Sequence, residues 1–391
     1  MNASLGVFRK EVRESLRDKR TLINALLTGP LIGPLIFVMI VNVMISRQLD
    51  RAEAPLELPV IGASYAPNLV AALRQQGLDQ QPAVADPIAA VRSQDAPVVL
   101  RIPAGFGEAW GKGDPAQVEL YYDSSRRDTQ QPVNRLKNML ENYSRRTGAL
   151  RLVARGLSAA LSNPIVVDER DQSTPRSRAG NLFSILPYFF VLTVFIGGMY
   201  LAIDLTAGER ERQSLEPLFV NPVAPWRILL GKIGATCFFS LCSLLICVTA
   251  FAVAGRFIPT EKLGMDLGLG PAFAAEVLVL MLPLVLLIAA LQTLVAAFSK
   301  SYREAQTYLG ILMLVPVLPS VLLSVMPVKT VEWMYAVPLL SQQVGITELL
   351  LGGSVTATQI ALCLLCGFTV AGLTLAITAR VYGSERLAIS A

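Results

Sequence analysis

The chain of 391 residues contains no histidine. That absence removes Ser-His-Asp and Cys-His nucleophilic systems, HExxH metal sites and histidine-dependent intramembrane proteases. No GxxxxGK[ST] segment occurs either, so the chain has no P-loop of its own for ATP. Charge is scarce: Asp, Glu, Lys and Arg make up 16% of residues against 53% hydrophobic, with a mean hydropathy of +0.51. That balance lies far outside the range of ordinary soluble domains and marks an integral membrane protein. Cysteine is nearly absent. Cys237, Cys242, Cys247, Cys363 and Cys366 all fall in apolar runs, and none lies between residues 46 and 180, so disulfides hold nothing together there. Cys363 and Cys366 form a CxxC, which in a lipid-buried helix reads as small-residue packing before redox chemistry.

What the chain has instead is long apolar runs. A bilayer core about 30 Å thick needs roughly 20 apolar residues per helix. Runs near 22–45, 181–203, 229–255, 272–298, 306–326 and 356–380 therefore predict six transmembrane helices. Pro316, Pro319 and Pro327 crowd the fifth and are expected to kink or shorten it. The expected fold class is an α-helical membrane protein with a mixed α/β extracytoplasmic domain inserted between helices 1 and 2. Its parts are an amphipathic interfacial helix at 1–20, the first transmembrane helix at 21–45, the inserted domain at 46–180, and a five-helix block at 181–391 with a charged elbow at 204–228.

Basic residues flank the cytoplasmic ends of spans. Arg9, Lys10, Arg13, Arg17, Lys19 and Arg20 thus place the N-terminus inside, and an even number of spans returns the C-terminus there. Arg210, Arg212, Arg227, Lys232, Lys300 and Arg303 then fall in cytoplasmic loops. The first span is too long for a signal h-region and is read as a retained anchor. A pI near 9.0 reports this topology rather than a nucleic-acid partner.

Leu5, Phe8, Val12 and Leu16 recur at spacings of three and four among basic residues. That pattern fits an amphipathic helix lying on the inner membrane surface, the plainer alternative being a basic topology signal. In the insert, β-branched and apolar runs at 58–61, 98–102, 118–122 and 165–167 read as strands, and 67–76, 87–94 and a longer stretch near 130–160 read as helices. Pro67 and Pro87 open the first two helices, a position proline favours. Ionisable residues are peripheral to the spans, with Asp204 and Glu276 at their ends. Asn42, Asn181, Thr236, Ser240, Ser243, Gln292 and Thr293 are the remaining polar groups near or within them, read first as interhelical hydrogen-bonding groups and second as a substrate path.

The elbow reads GERERQSLEPLFVNPV from Gly208 to Val223. Glu209, Arg210, Glu211 and Arg212 alternate in charge, and apolar Leu215, Leu218 and Phe219 follow, with Pro217, Pro222 and Pro225 ending helical stretches. Such a segment can seat apolar side chains in a partner's groove while its charges fix orientation. A solvated loop whose charges only enforce topology would read the same.

These residues resemble the segment after the second span of ABC-2 family exporter permeases, commonly E-R-E-x-G-T-L-E-x-L-L-x-x-P-V. Glu209, Arg210, Glu211, Leu215, Glu216, Leu218, Pro222 and Val223 match, while Gln213 and Ser214 stand where Gly-Thr is usual. The stretch from Asp95 to Ser125 is similar to the outer domain of the large-loop subgroup, and within it the chain is most similar to sodium-exporting Nat-type permeases. The resemblance implies a permease subunit of an exporter in a bacterial cytoplasmic membrane that pairs with a second permease copy or a homologue and with a cytoplasmic P-loop ATPase. ATP and Mg are then bound by that partner, and this chain carries no cofactor. Glu209, Arg210, Glu211, Arg212, Leu215, Glu216 and Leu218 would couple to the ATPase, which the leading helix would help to seat. Sodium efflux is the substrate implied. Export of a drug, lipid or peptide by the same architecture, or a non-transporting scaffold or sensor, are the alternatives.

Overall fold

A computed structural model describes residues 3–162, 168, 170–213, 223–258, 265–325 and 329–383. The chain divides into two compact units, Met1–Ser46 with Gln172–Ala391, and Arg47–Asp171. The helical unit begins with α1 (Ala3–Ser15) and enters α2 (Gly29–Glu53) through a π-helical turn at Ile23–Thr28.

The second unit is an α/β layer. Its elements are β1 (Leu56–Ile61), α3 (Pro67–Gln75), β2 (Leu78–Gln81), α4 (Pro87–Arg92), β3 (Val98–Arg101), α5 (Phe106–Lys112), β4 (Glu119–Tyr122) and α6 (Arg127–Ala154). The sheet order is β2-β1-β3-β4, with β1 parallel to β2 and β3, and β4 antiparallel to β3. Helical crossovers supply the length that parallel pairing requires. Val98, Val99 and Leu100 are fully buried in succession, the pattern of a central strand covered on both faces. Val133, Leu136 and Met139 carry the buried stripe of α6 onto the sheet core of Leu58, Val60 and Leu100. Gly62 is a required glycine: its φ is +76°, and a Cβ there would stand 2.2 Å from the Ile102 carbonyl oxygen.

The sequence-predicted helices and three of the strands appear within a few residues of their expected limits, and α6 runs unbroken through Gly148. Two elements were not anticipated. The strand β2 reads Leu-Asp-Gln-Gln and carries no β-branched signal, and α5 is a seven-residue helix that includes two glycines. The expected strand at 165–167 lies outside the described residues.

The helical unit continues with α7 (Pro175–Leu182), α8 (Leu186–Ile203), α9 (Pro225–Gly255), α10 (Pro271–Phe298), α11 (Tyr302–Leu312), α12 (Leu314–Val325), α13 (Leu340–Leu350) and α14 (Ala357–Tyr382). Among the described residues five helices are long and apolar enough to cross a bilayer: Ile23–Arg47, Leu186–Glu211, Pro225–Gly255, Pro271–Phe298 and Ala357–Tyr382. The expected span at 306–326 is instead the pair α11 and α12, helices of 11 and 12 residues meeting at Met313. Pro316 has no N–H to offer the Leu312 carbonyl, so the backbone ladder breaks there.

Backbones approach closely where side chains are small. A Cβ at Gly197 or Gly198 of α8 would lie 2.5 Å from the hydroxyl of Ser243 or Ser240 on α9. Gly367 of α14 meets Pro283 of α10 in the same way, at 2.7 Å. This is small-residue packing of the kind that holds helices together where no hydrophobic driving force acts between them.

Candidate functional site

The elbow end of α8 is tied to several neighbouring helices. Beyond Ile203 the helix widens into a π-helical turn, Asp204–Gly208, in which the Glu209 N–H donates to the Asp204 carbonyl. Such a turn inserts one extra residue and shifts everything after it around the helix axis. Glu209–Glu211 then completes one α-helical turn, and the four charges that follow Gly208 reach different elements.

The Glu209 carboxylate pairs with the ammonium of Lys232 on α9, which is 1% exposed. The same ammonium donates to the Leu205 carbonyl at 2.8 Å and lies 5.8 Å from the centre of the Tyr382 ring on α14. A buried ion pair persists only when further hydrogen bonds satisfy the charges, which the Leu205 carbonyl helps to do. Arg210 donates to the carbonyls of Ala297 and Ser299 at 3.3 and 3.2 Å. These oxygens lie at the C-terminal end of α10, where helical carbonyls lack intrahelical partners and a cation is favoured.

Glu211 accepts from the Tyr302 backbone N–H at 2.8 Å, so a carboxylate sits on the first turn of α11. Arg212 folds back onto Asp204 and onto the Gly208 carbonyl. The start of α11 is further capped by Ser301, which accepts from the Glu304 N–H, while Glu304 accepts from the Lys300 N–H at 2.6 Å. That backbone bond, with the Tyr308 hydroxyl, holds the Glu304 carboxyl below its ordinary range.

Glu209, Arg210 and Glu211 thus tie the end of α8 to α9, α10 and α11 respectively. Their charges are spent within the chain, which is a firmer arrangement than a solvated loop. Leu215, Glu216 and Leu218 lie in the segment 214–222, outside the described residues.

The leading helix also differs from its sequence pattern. Phe8 and Val12 pack into a cluster with Ala25, Leu201, Leu205, Ala235 and Phe239, and the Phe8 ring meets Phe238 edge-on. Leu5 and Leu16 stay exposed. The stripe read as an interfacial face therefore divides, two of its four residues being spent on protein. Gly231 of α9 permits the approach, since a Cβ there would stand 2.7 Å from Val7. Glu11 is 2% exposed and paired with Lys10 at 3.2 Å.

Two residues escaped the sequence reading. Lys232 was assigned to a loop by the basic-flank count but lies buried inside α9, and Glu11 was one charge in a charged segment. The available signal was the isolation of Lys232 at the start of an apolar run, where an unpaired ammonium is costly.

Deeper in the unit, the polar groups of the spans bond mostly to backbone. Ser240 donates to the Val194 carbonyl at 3.1 Å, Ser243 to Ala25 at 2.6 Å, and the Gln292 amide to Phe195 at 2.7 Å. Among the described residues no group of three or more Cys, Asp or Glu side chains could hold a metal ion.

Long apolar helices and small-residue crossings define a multi-pass membrane protein. Residues 26–378 match the family described as ABC-2 family transporter protein, and the chain belongs to that family. It is similar to the ABC transporter permease protein NatB of Bacillus subtilis (strain 168), 25% identical over 318 residues, which is 80% of each chain. The chain is accordingly a permease subunit of an ABC transporter, and the family implies a separate ATP-binding cassette subunit as its partner.

Proposed function

We propose that this subunit exports its substrate from the cytoplasm across a bacterial inner membrane, with both termini inside, the α/β unit outside, and a second permease copy completing the path. ATP and Mg are held by the partner subunit. Closure of that partner on ATP moves the elbow, and the elbow moves the spans. The observation that carries this reading is the set of ties made by Glu209, Arg210 and Glu211: a push on the segment beyond Arg212 is delivered to α8, α9, α10 and α11 together. The apolar residues Leu215 and Leu218, with Glu216, supply the contact with the partner. Leu5 and Leu16 of α1 meet the lipid surface.

Sodium efflux is the substrate reading, supported by the similarity to Nat-type permeases and by the 25% identity to NatB. The test is purification of the tagged protein from its host in mild detergent, followed by reconstitution. A P-loop ATPase recovered near equal stoichiometry, with hydrolysis stimulated by sodium over potassium, is the expected result. Stimulation by amphipathic compounds alone would replace sodium with a drug or lipid, and recovery of the chain by itself would overturn the coupling reading.

A further inference from the structure

The spans α2 and α9 run side by side in the same direction. Ser243 of α9 donates to the Ala25 carbonyl just before α2, and further along the rings of Phe251 and Phe37 meet with their centres 5.8 Å apart. Even so, the two helices leave a groove of about 870 Å³ between them, walled by Leu31, Pro34 and Leu35 on α2 and by Ala250, Ala254 and Phe257 on α9. Leu35 and Phe257 stand out from its rims, each 72% exposed. Among the described residues that line the groove Thr249 alone is polar, and its hydroxyl donates to the Leu245 carbonyl at 2.7 Å. The wall therefore offers no hydrogen bond to an occupant, and a polar group lodged there would go unpaired. The occupant it fits is hydrocarbon.

One end of the groove is different. Leu245, Thr249 and Arg256 follow at spacings of four and seven, so Arg256 continues the groove face of α9, and Leu35, Val38 and Asn42 do the same on α2 at three and four. Asn42 and Arg256 each come five residues after the Phe37 and Phe251 contact, which sets them at one level. Arg256 caps the end of α9, is exposed, and makes no ion pair with any described residue. A guanidinium and an amide above an apolar slot match a phosphate group above an acyl chain. A second copy of this chain fits less well. In a two-fold membrane dimer equivalent residues lie at equal depth, so pairing through this face would bring two Arg256 guanidiniums to the same level.

We infer that the groove between α2 and α9 holds one acyl chain of an anionic phospholipid, with the phosphate at Arg256 and Asn42, in the outer leaflet for the orientation proposed above. The site does not depend on which substrate is exported. Of the apolar stretch within Ile23–Arg47 only 22% is buried, against 72% for that within Leu186–Glu211. A lipid seated in the groove adds packing to a span that has little from protein.

The test is native mass spectrometry of the delipidated permease–ATPase complex titrated with dioleoyl phosphatidylglycerol, and separately with dioleoyl phosphatidylcholine, for the wild type, Arg256→Gln and Ala250→Phe. The wild type should show a saturable first binding event that favours the anionic lipid. Arg256→Gln should weaken that event about fivefold for phosphatidylglycerol and leave phosphatidylcholine unchanged, while Ala250→Phe, which fills the groove, should remove it. Equal binding of phosphatidylglycerol by the wild type and both variants overturns the site and leaves only ordinary boundary lipid. If Ala250→Phe instead separates two permease copies while lipid binding persists, the groove is a contact between copies and the proposal fails. Should Ala250→Phe not give an intact complex, Arg256→Gln decides the matter, because it changes an exposed side chain at a helix end.

Discussion

Replacing Lys232 by methionine tests whether the elbow is held by a buried charge. The methionine keeps most of the side-chain volume but removes the ammonium that faces Glu209, a residue 8% exposed. Breaking a buried pair from one side costs about 3–5 kcal/mol, because the remaining charge stays desolvated. Removing both charges with apolar residues of similar volume, in Glu209→Met with Lys232→Met, is expected to be neutral or mildly stabilising by the same reasoning. For a unit of this size, each kcal/mol shifts the melting temperature by roughly 2–4 °C, so the single variant should melt about 10 °C lower and the double variant close to the wild type. Thermal unfolding in detergent, followed by the fluorescence of Trp226 at the start of α9 in a background where Trp110 and Trp333 are replaced by phenylalanine, reads this directly. Equal losses in the single and double variants would show that the carboxylate and ammonium are not energetically paired, and the account of the elbow would fail.

Other outcomes follow from particular contacts. Arg210→Ala should uncouple ATP hydrolysis from transport while leaving membrane insertion intact, and unchanged transport per ATP would refute its role at the end of α10. Ser301→Ala removes the cap of α11 and should cost about 1 kcal/mol, seen as faster hydrogen exchange in its first turn. The low Glu304 pKa adds stability to that turn above the unfolded carboxylate range, and this is lost as pH falls through the folded value; Glu304→Gln should abolish the acid-induced rise in exchange. Gly62→Ala forces a side chain into left-handed backbone against the Ile102 carbonyl, and should sensitise the α/β unit to protease at concentrations the wild type resists.

The sequence is a good guide wherever one local signal decides. Pro67 and Pro87 mark helix starts, and the valines of β3 mark a buried strand, because helix entry and burial are written in neighbouring residues. It guides poorly where the partner is remote. Nothing near Lys232 in sequence announces Glu209, 23 residues away. Phe8 and Val12 look like lipid-facing residues until Gly231, more than two hundred residues on, provides a flat surface for α1. The polar strand β2 forms because β1 lends it a parallel partner, not because its own residues prefer extension. The motif of the elbow was legible as a string, yet the distinct destinations of its charges depend on Lys232 of α9, the last carbonyls of α10 and the first turn of α11 lying nearby.

The π-helical turn at Asp204–Gly208 gives the elbow a discrete character. It stores one residue of slack, and an α-helix advances about 100° per residue. Were that turn to tighten into α geometry, every side chain past Gly208 would swing by that amount as one body. Glu209 could not keep Lys232 while Arg210 released Ala297, because all are rigidly phased to the same axis. A one-residue deletion of Ala207 would therefore turn Glu209, Arg210 and Glu211 together by about 100° and part all three from their partners at once.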